Sequence, residues 1–487
     1  MNRVASLRSA CGCWVALGVL ATGLAGCAAP GVPKNPATVP LAPLAIPDAW
    51  SSPTAWTPAR PADHLDKGHW WQVFNDAQLD QLIAQAQHQH PNVRIAEARL
   101  RQAQASQQVA RAGALPRVDL SLRPVRQRTS ANRPANLPNA TVASTVLTTG
   151  VSYEIDLFNR IGSEIDAAAA GERQLQSDLA NTRLVLAADL AASYFTLRQI
   201  DAEMAVLAQG IQLQQRAVAL LQARYDGGAS SGLEVAQQQT LLDATATQLA
   251  LLERQRPVAE HLLATLSGQP ASSFRVAASS FWDPSIPQLP VTLPAQVLQR
   301  RPDVAAAQHA IAAATAQIGV VQAGFFPSLV LNTSAGFESR SLGSLLGGPS
   351  LLWSLGASLT HAVWDGGRNQ GRLAGAQEAL EITSASYRRT VLQAVQEVED
   401  GLSSLHALAR AADSARTATT SATRALSIAQ ARYAGGAVTY LEVVSAQQAL
   451  LNNRRQAAQI HGQQLVTAAY LVKALGGSWQ DSTASAH

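Results

Sequence analysis

The chain has little cysteine, no concentration of charge of one sign, no apolar run approaching twenty residues and, after Pro349, no proline at all. Each shortage excludes something. The three cysteines, Cys11, Cys13 and Cys27, all lie near the start, so the rest of the chain holds neither a disulfide framework nor a cysteine-based metal site. Lys and Arg number 37 against 33 Asp and Glu. That near balance argues against a nucleic-acid partner, which would want a concentrated basic face. Without a long apolar run, no later segment reads as a membrane-spanning helix; if the mature chain crosses a membrane, it does so with strands. Catalytic signatures are missing too: there is no His-Glu-x-x-His, no Gly-x-Ser-x-Gly and no Walker loop. The histidines are scattered, and His88 and His90 point away from one another on a helix. The chain is not read as an enzyme, and no metal is expected.

What is present begins with a leader. Arg3 and Arg8 form a short basic start, Trp14 to Leu20 is apolar, and Leu24-Ala25-Gly26-Cys27 sets small residues before a cysteine. That order resembles a bacterial lipoprotein signal. It implies loss of residues 1–26 and a covalent lipid on Cys27, the only cofactor-like group expected; an ordinary secretory leader with an incidental cysteine is the alternative. By resemblance to enterobacterial sorting rules, Ala28 rather than Asp favours the outer membrane. Acyl chains contribute roughly 0.8 kcal/mol per buried methylene, so several make a firm anchor. Removing Arg3 and Arg8 lowers the 37 basic residues to 35 against 33 acids. Residues 27–67 are rich in Pro, Ala, Ser and Thr and read as an extended, lipid-linked lead.

The next feature is a repeat. ARYDGGASSGLEV (Ala223 to Val235) and ARYAGGAVTYLEV (Ala431 to Val443) match at nine of thirteen positions, 208 residues apart. Pro91-Asn92-Val93 leads a helix closed by Ala112-Gly113-Ala114-Leu115-Pro116, and Pro302-Asp303-Val304 leads another closed by Ala323-Gly324-Phe325-Phe326-Pro327. Proline suits a helix start, where its missing N–H would be unpaired, and proline after glycine stops one. Residues 68–272 and 283–478 thus read as two copies of one unit, with 479–487 as a tail.

Each copy holds two β-like stretches. In the first, Val118 to Leu122 precedes a loop at 132–138, and Val151, Tyr153, Ile155 and Leu157 alternate with Ser152, Glu154 and Asp156. In the second, Leu329 to Phe337 and Trp353 to Leu359 alternate about a loop at 343–349. Period two with one apolar face is the strand signature, giving hairpins at about 117–158 and 328–365. Long helical hairpins follow, at 160–267 and 367–475. Arg160 to Tyr225 contains no proline, and its apolar residues step by threes, fours and sevens, a coiled-coil seam. At 1.5 Å per residue such a helix is about 100 Å long. Gly227-Gly228 and Gly435-Gly436 are read as left-handed helix ends, with Glu234 and Glu442 in the first turns of the returning helices, where the dipole favours an acid. Gly367, Gly371 and Gly375, at small-xxx-small spacing, are read as a close helix contact.

Four strands cannot close a barrel, and an open sheet edge is not tolerated in lipid. Chains must share one: two would supply eight strands, about the size whose interior side chains fill, and three would supply twelve, which leaves room for a lumen and is the preferred reading. Phe158, Trp353 and Trp364 are read as part of an aromatic girdle, which favours a barrel over a soluble cap.

Trp70-Trp71-Gln72-Val73-Phe74-Asn75-Asp76, the paired Pro-x-Val…Ala-Gly-x-x-Pro units, the paired ARY-x-GG…LEV turns and the lipobox together resemble the NodT/OprM lipoproteins of the TolC-like outer-membrane factors, over nearly all of the mature chain. The fold implied is an α+β membrane protein: a homotrimer with a twelve-stranded β-barrel continuous with a periplasmic α-helical barrel. The resemblance implies an efflux exit duct that accepts small molecules from an inner-membrane pump, usually of the RND class, through a periplasmic adaptor. It also implies a closed periplasmic aperture ringed by two acids. The first matches Glu442; the second falls on Ser445, a departure. A tyrosine and an acid that tie neighbouring hairpins match Tyr433 and Glu234. The turns carrying Gly227, Gly228, Gly435 and Gly436 would face the adaptor. The plainer alternative makes Glu234 and Glu442 dipole-complementing acids and Tyr433 a seam residue. For the whole chain, the alternatives are a non-conducting periplasm-spanning lipoprotein scaffold and a duct for type I protein secretion.

Overall fold

A computed structural model describes residues 69–130, 140–278, 286–287, 297–298 and 300–477. The leader 1–26, Cys27, the lead 27–67, the loop 132–138, the boundary at 283 and the tail 479–487 lie outside the described residues. A short 3-10 turn, Trp70–Phe74, is followed by α1 (Ala77–Gln89), α2 (Pro91–Ala112), β1 (Arg117–Arg128), β2 (Thr141–Ile155), α3 (Arg160–Asp226) and α4 (Gly232–Leu266). After these come α5 (Pro302–Ala323), β3 (Ser328–Ser339), β4 (Leu351–Thr360), α6 (Arg368–Ala434) and α7 (Tyr440–Ala474). The order helix, strand, strand, helix, helix therefore occurs twice, and the paired helices are equal in length at 22, 67 and 35 residues.

Packing divides the chain differently. Among the described residues, one compact unit draws on 105–170 and 311–384, the other on 69–104, 171–310 and 385–477. Both take pieces of each repeat, so the repeats are units of sequence rather than of packing.

The first unit is built on an antiparallel sheet in the order β1-β2-β3-β4. Its register has no slip: Val118 faces Val151, Val151 faces Thr333, and Thr333 faces Leu355. Because side chains alternate, this register sorts the residues into two faces. One carries Leu120, Leu122, Leu147, Ile155, Phe337, Leu331, Leu355 and Leu359; the other carries Asp119, Arg123, Ser144, Glu154, Asn332, Glu338, Ser354 and Ser358. No strand residue is buried, and Leu120, Trp353 and Leu355 are about three-quarters exposed. Within one chain both faces are bare and the two edges, β1 and β4, are unpaired.

Several expectations change here. β1 does not stop near Leu122 but runs on through Pro124 to Arg128; β1 is an edge strand, where a missing N–H is tolerated. β2 starts at Thr141, well before Val151; in its first half Val142, Val146 and Leu147 are set among threonine, serine and alanine, which blurs the period-two signal. Trp353 faces Ala335, which faces Thr149, so it lies inside the apolar face and not at its rim. Phe158 stacks on Phe326 with centroids 4.6 Å apart, beyond the strand ends. Within one chain no helix contact is made at Gly367, Gly371 or Gly375: among the described residues a Cβ at any of them would meet nothing within 4 Å. Spacing marks where a partner could approach, not that one does. One described helix, Pro302–Ala323, is after all long and apolar enough to cross a membrane by length and composition, with 17% of its apolar window buried. Alanines spread between polar residues give it that character, which a search for unbroken apolar runs passes over.

In the second unit, Phe74 lies 4.7 Å from Phe195, and Tyr194 donates a 2.8 Å hydrogen bond to Asp76 Oδ2. The other Asp76 oxygen accepts from the N–H groups of Gln78 and Leu79, so one carboxylate starts α1 and pins it to α3. Leu79, Ile83, Leu190, Leu197, Leu263 and Leu465 close this core. Beside it, buried Asp201 sits between Arg198 at 3.0 Å and Arg256 at 2.7 Å. Removing one partner of such a group costs about 3–5 kcal/mol, because a charge is left buried and unpaired.

Candidate functional site

The two glycine turns close the helical hairpins with the same backbone. At the end of α3, Ala229 N–H donates to Arg224 O and Gly228 N–H to Tyr225 O, at 2.7 and 2.9 Å. At the end of α6, Ala437 donates to Arg432 O and Gly436 to Tyr433 O, at 2.9 and 3.0 Å. This pair of bonds is a Schellman motif, which satisfies the last carbonyls and needs one left-handed residue. That residue is Gly228 (φ 78) and Gly436 (φ 71). The expectation that both glycines of each pair are left-handed is therefore corrected: Gly227 and Gly435 precede the left-handed position and do not share it.

Beyond the turns the two sites differ. Ser231 caps α4: its hydroxyl accepts from Glu234 N–H at 3.3 Å, while Glu234 Oε2 accepts from Ser231 N–H at 3.4 Å. The reciprocal pair is a capping box. The same carboxylate oxygen takes a short hydrogen bond from the Ser230 hydroxyl and a 3.1 Å bond from Tyr433 Oη, 199 residues along the chain. These donors, Ser230 first, hold the Glu234 carboxyl below its usual range. Burial, and then the bond to Glu234, push the Tyr433 phenol up. Tyr433 meets Tyr440 edge-on at 5.0 Å, and Tyr440 Oη donates to Gln238 Oε1 at 2.8 Å. Tyr440 is 5% exposed among Leu221, Ala429 and Val443, and its burial pushes the phenol up to about 12.

The second turn has no such cap. Thr439 stands at the N-cap of α7 without a side-chain bond. Glu442 pairs with Arg432 at 3.5 Å, both about half exposed, and Ser445 is exposed three residues further along. The structure thus brings Glu234 and Tyr433 together and leaves Glu442 and Ser445 toward solvent. Sequence reasoning missed Ser230, Ser231, Gln238 and Tyr440. The Ser-x-x-Glu pattern of Ser231 to Glu234 was the available signal for the first pair; nothing local marks Tyr440 and Gln238.

A two-faced sheet with free edges is joined in sequence to helical hairpins of 67 and 35 residues. The family model for outer membrane efflux proteins matches residues 82–269 and again 293–477, and the chain belongs to that family. The pyoverdine export outer membrane protein OpmQ of Pseudomonas putida is 31% identical over 470 residues, covering 95% of this chain and 96% of the relative. The outer membrane protein OprJ of Pseudomonas aeruginosa is 28% identical, covering 91% and 92%. Among solved structures, the outer-membrane channel OprN superposes with a TM-score of 0.81 at 26% identity, over 89% of this chain and 98% of that one. VceC from Vibrio cholerae gives 0.78 at 27% identity, over 86% and 100%. The chain is an outer-membrane protein that serves as an exit duct in efflux.

Proposed function

We propose that three copies of this chain join their sheets edge to edge, β1 of one beside β4 of the next, into a twelve-stranded barrel with the polar face inward. The observation that carries this reading is the sorting of the sheet: a mainly apolar face whose rows from Ile155 to Thr145 carry no charge, a polar face, and two unpaired edges in one chain. An open edge in lipid would leave backbone groups without partners, so closure is required. The uncharged rows of the apolar face span ten residue steps along β2, from Ile155 to Thr145. At about 3.4 Å per residue and a tilt of about 40°, they stand about 26 Å tall, close to the roughly 25 Å band of outer-membrane barrels.

The helical hairpins then form a periplasmic tunnel, and the whole takes small molecules from an inner-membrane pump of the RND class through a periplasmic adaptor. The turns at Gly227-Gly228 and Gly435-Gly436 face the adaptor. The Tyr433–Glu234 bond holds neighbouring hairpins together at the closed end, and Glu442 with Ser445 lines the aperture. Cys27 carries the lipid. The equal lengths of the paired helices and the twofold family match support an origin by duplication.

The test is the mass and shape of the mature protein extracted in mild detergent. A three-fold particle with a lumen is expected, and it conducts in a planar bilayer. A monomer, or a dimer without a lumen, would replace the duct with a scaffold.

A further inference from the structure

Two charged residues lie on the apolar face of the sheet. The register sets Arg126 opposite Ala143 and Arg128 opposite Thr141, on the face that carries Leu120, Leu122 and Leu147. Every other charged strand residue, Arg117, Asp119, Arg123, Glu154 and Glu338, alternates to the polar face. Both arginines are exposed, and the Arg126 side chain has no hydrogen bond or ion pair among the described residues. At the opposite end of the same face, the row of Ile155, Leu329 and Leu359 carries no charge. The asymmetry is one of position as well as sign.

We propose that Arg126 and Arg128 grip the phosphates of a bis-phosphorylated lipid headgroup in the outer leaflet, one such pair per chain around the barrel rim. The proposal rests on the barrel reading above, which turns this face to lipid and the strand-turn end outward. A lipid-facing arginine is costly at mid-bilayer and nearly neutral at the interface. Arg126 lies one row beyond Thr145, where the uncharged band ends, so its long stem carries the guanidinium to headgroup level. A guanidinium offers parallel N–H donors that fit phosphate oxygens two at a time. Two residues apart on one strand face, the two Cα atoms stand about 7 Å apart along the strand, which lets each arginine take its own phosphate. No acid shares the face to compete.

The experiment uses the full, detergent-extracted protein and native mass spectrometry, with diphosphoryl lipid A as the probe and an uncharged lipid of equal chain length as control. The wild type is expected to retain the phosphorylated lipid at least tenfold better than Arg126→Gln/Arg128→Gln. The Arg126→Lys/Arg128→Lys protein, with charge but no fork, should fall between them. Retention by the wild type should also drop severalfold between low and high salt, a readout that stands even if the glutamine pair does not fold. Equal retention by wild type and glutamine variant, or retention indifferent to salt, overturns the proposal. So does complete displacement by millimolar inorganic phosphate, which would mark a free-anion site. A wild-type protein that is not three-fold or does not conduct fails the duct reading instead, and that is seen before any lipid is added.

Discussion

The two glycine turns share nine of thirteen residues and one backbone motif, yet they are held in different ways. The first is tied by hydrogen bonds: Ser231, Ser230 and Tyr433 all converge on Glu234. The second is tied by burial: Tyr440, where the first copy has Gly232, fills the space among Leu221, Ala429 and Val443. In the first copy Tyr225 instead lies over Gly232, its ring 3.5 Å from where a Cβ would stand, and remains 49% exposed. The repeated turn has one backbone and two means of support. The difference also couples the copies, because the phenol of one turn answers the carboxylate of the other.

The largest expected effect comes from emptying the buried side. Tyr440→Ala removes a ring from the second turn and leaves Gln238 without its donor; a loss of about 3–5 kcal/mol is expected, read by denaturant unfolding. Equal loss from Tyr225→Ala would erase the contrast between the turns. Next is the backbone. Gly228→Ala and Gly436→Ala force a side chain into the left-handed region and should each cost about 1–2 kcal/mol. Gly227→Ala should be nearly silent, since the added Cβ comes no closer than 3.5 Å to its neighbours.

Capping gives a smaller, one-sided effect. Ser231→Ala should cost about 1 kcal/mol, whereas Thr439→Ala, which breaks no cap bond, should cost far less. Matched melting curves of the two variants compare them directly. Acid should find the first turn for the same reason. Glu234 titrates below its ordinary value of 4.5, so its contribution is complete above that value and is lost as pH falls through the lowered one. Hydrogen-exchange protection at Ser231 to Val235, taken relative to the intrinsic rate at each pH, should fall below about pH 4.5 in the wild type, and much less so in Glu234→Gln. The smallest stability effect belongs to Glu442→Ala. Its pair with Arg432 is half exposed and worth about 0–1 kcal/mol. Its consequence should appear in current, as weaker cation preference or higher conductance of the closed tube; unchanged current and selectivity would remove Glu442 from the aperture.

Much of this was legible because the signals are local. Proline at 91 and 302, glycine at 113 and 324, and uninterrupted helical periodicity from Arg160 mark their elements without help from distant residues. The legible part of the site was likewise local: Glu234 and Glu442 lie in first turns, which the repeated LEV stretches reveal. What escaped was decided by alignment between strands or helices far apart in sequence. Pro124 reads as a strand breaker until β1 is known to be an edge. Trp353 reads as a rim residue until register sets it beside Ala335 and Thr149. Gly371 and Gly375 read as a helix contact until the space around them, within one chain, proves open.

The sequence alone determined the repeat, the order of helices and strands and the helix ends, since each depends on dihedral preference and hydrophobic period over a few turns. Only the tertiary structure decided the register that sorts the two faces of the sheet, the geometry by which Tyr433 reaches Glu234 across 199 residues, and that Tyr440 rather than Tyr225 is buried. Those outcomes depend on register and on the filling of shared space. Neither quantity belongs to any one segment of the chain.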